Sequence, residues 1–316
     1  MTSRTEFASG GGACAAWLTA GRGPAPRPGV VLVHGLGATH DMKLDRYEQA
    51  FAAAGFTTLG FDLRHLGASG GAPRQIISLR RQARDVEAAW RYLRERPDVD
   101  GRRVALWGTS FGATHVLRHA RRNPEVAAAV IQCPIVHGPS AALASGVRPM
   151  AGLVPSVLRD AARVFTRRRR HYVAIVGDPG ERALVTVPGA RAGWESVVPD
   201  GHRFDNRVAA AAGLEMMVST EARSAHRVSC PLLVCVSDRE TLMSPRTVAK
   251  VAERAPQGTA NHYDADHFDV YHPPLVDRMI RDQVTFLTST LSPDAHPPGG
   301  VETSSGVHSP VAEGDA

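Results

Sequence analysis

The sequence has no apolar run long enough to cross a bilayer. Its longest uninterrupted stretches, such as Val30–Val33 and Leu232–Val236, are strand-sized, far short of the ~20 residues a membrane helix needs. The first residues, MTSRTEFASGGG, lack the cationic start and apolar stretch of a secretory signal, so a reducing cytoplasm is the expected compartment. Cysteine is scarce. Cys14, Cys133, Cys230 and Cys235 form no CxxC pair and no metal-ligand spacing, which points to free, mostly buried thiols and neither a disulfide framework nor a metal site. Lysine is nearly absent (Lys43 and Lys250), so the net charge of +6 is almost all arginine, and only Arg167–Arg170 forms a run. No RNP-like aromatic motif, zinc-finger spacing or heptad repeat accompanies it, so the basic balance reads as an arginine-rich surface, with no nucleic-acid partner. What remains is ordinary: 316 residues, 43% hydrophobic and 22% charged, suit one large α/β domain or two small ones and exclude disorder throughout.

From residue 30 onward, short β-branched runs alternate with helix-length amphipathic segments. Val30–Val33, Thr57–Asp62, Arg103–Trp107, Ala127–Gln132, Pro231–Val236 and Ala260–Tyr263 read as strands. Leu79, Ala83, Val86, Trp90 and Leu93 step by four and three along Ser78–Arg96, with Ser78 as N-cap and Pro97 as stop. A second helix runs from Phe111 to Asn123-Pro124, and a last one covers Leu275–Leu287. Such alternation predicts a mostly parallel sheet with helices on both faces. Residues ~138–225 break the rhythm with few strand patterns and many Pro, Gly and Arg residues, and are expected to form a helical insertion over one end of the sheet. The domain is thus expected over 1–291. Residues 292–316 are Pro/Gly/Ser-rich with almost no apolar content, and are expected to be a disordered tail.

The pattern G-x-S-x-G occurs twice. Gly67-Ala68-Ser69-Gly70-Gly71 is followed by Ala72-Pro73, which offers no helix start, so Ser69 reads as a loop residue packed near the site. Gly108-Thr109-Ser110-Phe111-Gly112 follows the strand Val104–Trp107 and opens directly into a helix. That strand–turn–helix elbow needs small residues at 108 and 112, and it lifts the Ser110 hydroxyl clear of the sheet at a helix N-terminus. A serine needs a base oriented by an acid. His267 lies in the loop after the last strand, where it can lean over the sheet edge, whereas His262 falls inside the strand; His34, His65 and His115 read as structural. An acid in the loop Ser237–Pro245 would complete the order Ser, acid, His, and both Asp238 and Glu240 are candidates. The glycine turn after Val30–Val33 can aim the Leu36 N–H at the same point as the Phe111 N–H, a two-donor oxyanion hole.

Taken together, His34-Gly-Leu-Gly-Ala-Thr, Phe61-Asp-Leu-Arg-His-Leu-Gly-Ala-Ser-Gly-Gly, Gly108-Thr-Ser-Phe-Gly and Asp266-His-Phe resemble the α/β-hydrolase superfamily. They are most similar to its serine-hydrolase branch of esterases, dienelactone-hydrolase-like enzymes and serine aminopeptidase-like peptidases, over roughly residues 5–290. The resemblance implies an eight-stranded sheet, a cap after the sixth strand, and no cofactor or metal. In the family the acid usually sits nine positions after the proline opening the seventh strand, within G-x-x-D-x-x-x-P. Counted from Pro231 that position is Glu240, an exchange of aspartate for glutamate, and it favours Glu240 over Asp238.

The expected function is hydrolysis of a carboxylic ester or thioester through an acyl-enzyme on Ser110, acting on a small-molecule acyl substrate. An acyltransferase sharing that intermediate, and a non-catalytic ligand-binding protein on the same fold, are the alternatives. A homodimer is compatible with either. Leu153–Phe165, followed by Arg167–Arg170, reads as an amphipathic cap helix. An ordinary solvated helix is the simplest account; a membrane surface or an acidic acyl carrier would also suit its composition.

Overall fold

The computed structural model describes residues 2–202 and 204–293. The chain opens with a hairpin that the strand–helix alternation does not announce. β1 (Thr2–Ser9) and β2 (Gly12–Thr19) pair antiparallel from Thr2↔Thr19 to Ser9↔Gly12. Gly10 and Gly11, with φ of 50° and 86°, make the two-residue turn, a conformation that favours glycine at both positions.

Strands and helices then alternate through β3 (Arg27–Val33), α1 (Leu44–Ala53), β4 (Thr57–Phe61), α2 (Leu79–Arg94), β5 (Val99–Thr109), α3 (Gly112–Ala120) and β6 (Ala129–Gln132). The apolar period of α2 is buried at Leu79, Val86, Ala89, Trp90 and Leu93, while Arg80, Arg84 and Arg91 face water. The cap follows: α4 (Gly138–Ala144), α5 (Val147–Phe165), β7 (Tyr172–Val176), β8 (Ala183–Val185), α6 (Ala190–Val197), β9 (Val208–Ala209) and α7 (Ala212–Met217). The main sheet resumes with β10 (Leu232–Ser237), α8 (Pro245–Arg254) and β11 (Gly258–Tyr263), and α9 (Leu275–Thr290) is the last helix.

The eight strands of the main sheet lie in the order β1-β2-β4-β3-β5-β6-β10-β11, parallel from β4 to β11. Val30–Val33, Val104–Trp107 and Leu232–Val236 are buried on both faces, as expected for parallel strands covered by helices on each side. The insertion differs from the helical cap expected for it, because it also carries a three-stranded sheet in the order β8-β7-β9. β8 and β9 are only three and two residues long, too short for a periodic signal, whereas β7 (Tyr-Val-Ala-Ile-Val) is an apolar run of the kind read as a strand in the main sheet. A side chain holds part of this sheet together: Asn206 Oδ1 accepts from the Ile175 and Val176 amides (3.0 and 2.9 Å) and Nδ2 donates to Val176 O (2.8 Å).

A buried ionic network fastens the hairpin to the body. Asp85 on α2 accepts from Ser9 Oγ (2.6 Å), from Arg64 Nε (2.7 Å) and from the Arg64 backbone N–H (3.1 Å). All four cysteines are buried and free. Beyond Ser292 and Pro293, the tail expected to be disordered lies outside the described residues.

Candidate functional site

Parallel strands that end level leave their C-terminal loops side by side, and the candidate residues come from those loops. Val33 of β3 pairs with Gly108 of β5, and Gly108 pairs with Ile131 of β6, so the turns after β3 and β5 meet. The contact is close enough to exclude side chains. A Cβ on Gly112 would lie 2.3 Å from the Val33 carbonyl oxygen, one on Gly108 2.7 Å from Val116 Cγ2, and one on Gly35 3.2 Å from Ser110 Cβ. Between the two elbow glycines Ser110 adopts φ 54°, a region sparsely populated by residues with a Cβ. It is held there because its N–H donates to Gln132 O (2.9 Å) and its carbonyl accepts from the Ile135 N–H (3.0 Å).

The result is a single hydrogen-bonded chain across three loops. Ser110 Oγ lies 3.0 Å from His267 Nε2, and His267 Nδ1 lies 2.8 Å from Glu240 Oε2. A carboxylate can only accept here, so Nδ1 carries the ring proton and Nε2 is left to accept from the serine. Glu240 Oε1 accepts from the Leu242 N–H (2.9 Å), and the His267 and Glu240 side chains are each only 2% exposed. Such an arrangement can take a proton from the hydroxyl as it attacks a carbonyl and return it to the leaving group.

Asp238, the other carboxylate considered, is not part of this chain. The Asp238 and Arg239 amides still donate to Tyr263 O and Ala265 O, extending the β10–β11 ladder. Asp238 therefore leaves along the outer edge of the sheet and pairs with His262 Nδ1 at 2.7 Å, both side chains substantially exposed. Two residues further on the chain has turned inward, and there the extra methylene of Glu240 reaches the imidazole.

Ser69 and the other histidines are satisfied elsewhere. Ser69 Oγ accepts from the Ala15 N–H (2.8 Å) and donates to Asp62 O, joining β2 to the loop after β4. His34 Nε2 accepts from the Leu63 N–H (3.1 Å) and Nδ1 donates to Gly35 O (2.9 Å); burial pushes its pKa down. His115 meets Gln82 in the core, and burial lowers its pKa to about 3. His65 lies against Pro73 O and Arg81.

Leu36 and Phe111 line the same space as Ser110, and among the described residues neither backbone N–H has an acceptor. That space is a cavity of about 480 Å³ roofed by α4, α5 and α7, with apolar walls that include Met150, Leu153, Val157, Leu184 and Met216. A much smaller cavity of about 30 Å³ lies on the His267 side of Ser110, and Trp194 of α6 borders both. Trp194 is 6% exposed, and among the described residues its indole N–H has no partner. It packs on Phe268 (5.8 Å between rings), which packs edge-on to His267 (5.1 Å). No spacing in the sequence links Trp194 to Ser110, and it was not anticipated. Nor was the brace between the acid and base loops, in which Thr241 N–H and Oγ1 donate to Asp266 Oδ1 (3.0 and 2.9 Å).

The chain resembles known proteins in sequence and in fold. A family model described as serine aminopeptidase, S33, matches residues 24–278. The chain belongs to this family of α/β hydrolases. It is 33% identical over 282 residues to the quorum-quenching protein AidA of Acinetobacter baumannii (strain MDR-ZJ06), covering 89% of this chain and 93% of that protein. Thiohydrolase apmlB of Arthrinium phaeospermum is 32% identical over 157 residues, half of each chain. Polyketide transferase grgF of a Penicillium species is 34% identical over 109 residues, 34% of this chain and 37% of that one. The solved α/β hydrolase GrgF from Penicillium sp. sh18 superposes with a TM-score of 0.80 at 21% identity, over 92% of this chain and 99% of that one. At that identity the likeness is one of fold, the α/β-hydrolase fold.

Proposed function

We propose that the protein is a serine hydrolase that cleaves a carboxylic ester or thioester carrying a large apolar acyl group. The observation that carries this reading is the Ser110–His267–Glu240 chain, whose Ser110 borders an apolar cavity of about 480 Å³. As Ser110 Oγ bonds to the carbonyl carbon, His267 Nε2 takes its proton. The Leu36 and Phe111 N–H groups then stabilise the tetrahedral oxyanion. His267 next protonates the departing alcohol or thiol as its bond to carbon breaks, leaving an acyl-enzyme. Water enters with His267 as base, and the acid and free enzyme are released. Glu240 holds the Nδ1–H tautomer and stabilises the imidazolium.

The two cavities flanking Ser110 are very unequal, which supports one bulky apolar side and a small partner side in the reacting molecule. A thioester fits the similarity to a thiohydrolase; the similarity to a polyketide transferase favours, as a second reading, transfer of the acyl group to an alcohol or amine in place of water.

A chain-length panel of p-nitrophenyl esters beside matched acyl thioesters tests this reading. Each methylene buried is worth ~0.8 kcal/mol, so kcat/KM should rise about fourfold per carbon until the cavity is full. A flat or falling profile from acetate onward removes the apolar-acyl reading. Product analysis with and without an alcohol acceptor separates hydrolysis from transfer.

A further inference from the structure

The cap concentrates exposed apolar surface. All the strongly exposed large apolar side chains among the described residues lie between Leu143 and Val218, on α4, α5 and α7 or directly at their ends. The extreme is Phe165, 90% exposed at the last turn of α5. Leu143, Val147, Val154, Leu158, Leu214 and Met217 also line the cavity, so this apolar surface surrounds its mouth, and clustered exposed apolar side chains mark an interaction site.

The order of side chains around α5 shows what kind of partner would fit. Val147, Val154, Leu158 and Phe165 follow at steps of seven, four and seven, which puts them on one stripe of the helix. To one side of it Met150, Leu153 and Val157 face the cavity. To the other side lie Arg148, Arg159 and Arg163, and the chain runs on into the exposed Arg167, Arg168 and Arg169. Asp160 is the lone carboxylate from 138 to 170, and it is fully buried. It accepts from Arg170 Nε (2.8 Å) and from the His171 and Ala211 amides (2.8 and 2.9 Å). On α7, Glu215 is taken up by the Leu79 N–H (3.0 Å). The charge along α5 beside the apolar stripe is therefore positive, with Asp160 paired to Arg170. No single helix among the described residues is long and apolar enough to cross a membrane; α4 and α5 reach that apolarity only together, with a bend of 116° between them. A second copy of the chain packed face to face would bring two cationic stripes together.

We propose that this face of the cap docks on an anionic phospholipid surface, with the Val147–Phe165 stripe entering the acyl-chain boundary and the arginines resting on the headgroups. Val147, Val154 and Leu158 also line the cavity, so the docked face includes its outer wall. Only the consequence, that lipid-borne acyl groups enter from the bilayer, rests on the proposed hydrolase reading; docking itself does not need it.

The test is flotation of the full-length protein with vesicles of equal parts phosphatidylglycerol and phosphatidylcholine, with phosphatidylcholine vesicles in parallel. Binding should require the anionic lipid and weaken as salt rises. Phe165→Glu should lower the partition coefficient about 10-fold, and Arg167, Arg168 and Arg169 changed together to Ser should lower it about 5-fold per residue. Both variants should keep the parent melting temperature and the parent rate on a short soluble ester, since none of these side chains borders the cavity. Ser110→Ala should float like the parent, which separates docking from catalysis. Absence of binding to anionic vesicles overturns the proposal, as does binding that neither variant weakens. A shift from dimer to monomer in Phe165→Glu by sedimentation, or capture of an acidic acyl carrier in place of vesicles, overturns it too.

Discussion

At the scale of single residues, the decisive comparison is between two carboxylates separated by one position. Glu240 is buried on His267, while Asp238 forms an exposed pair with His262. Glu240→Gln should lower kcat ~10³–10⁴-fold by leaving the imidazolium without its partner and admitting the wrong tautomer. Asp238→Asn should change it less than ~3-fold, because exposed pairs contribute little. Steady-state rates on one ester suffice, and the reverse ranking would move the acid to Asp238. The serine and the histidine were legible because the elbow and the loop after the last strand have local signatures. The family resemblance favoured Glu240, while the residues themselves left Asp238 open, since their difference depends on how far the β10–β11 ladder continues.

At the scale of elements, the alternation of β3 through β6 could be read because the strands hold short apolar runs such as Val30–Val33 and Val104–Trp107, and α2 has a buried period. The first hairpin had a signal, Gly10-Gly11 between two strand-length segments, but its small and polar residues Thr2, Ser3, Ala13 and Ala15 blur the alternation. Of the cap strands, β7 carried an apolar run that was not read as a strand, while β9 has two residues and β8 three, and their pairing depends on contacts such as those of Asn206. What secures the hairpin is also non-local. Asp85→Ala would leave Arg64, a residue only 9% exposed, without its partner carboxylate. The cost should be about 3–5 kcal/mol, measured by urea unfolding. A loss below ~1 kcal/mol would mean that Ser9 and water replace the carboxylate.

At the scale of the whole molecule, buried histidines set an acid limit on stability. Burial lowers the pKa of His115 to about 3 and that of His119 to about 4, from an ordinary 6.5. The unfolded chain therefore binds more protons than the folded one between these values. Stability should be fully present above pH ~6.5 and decline as the pH falls towards ~4. His115→Gln should flatten that part of the melting-temperature curve relative to the parent. An unchanged slope would place the acid sensitivity in other groups.

The central claim concerns the whole assembly of loops, cap and sheet: that they converge on one nucleophile. It is tested most directly by reacting the full-length protein with a fluorophosphonate and locating the adduct by peptide mass spectrometry. One adduct per chain is expected, on the peptide containing Ser110, lost in Ser110→Ala and His267→Ala and retained in Ser69→Ala. An adduct on Ser69, or labelling that survives Ser110→Ala, would contradict it.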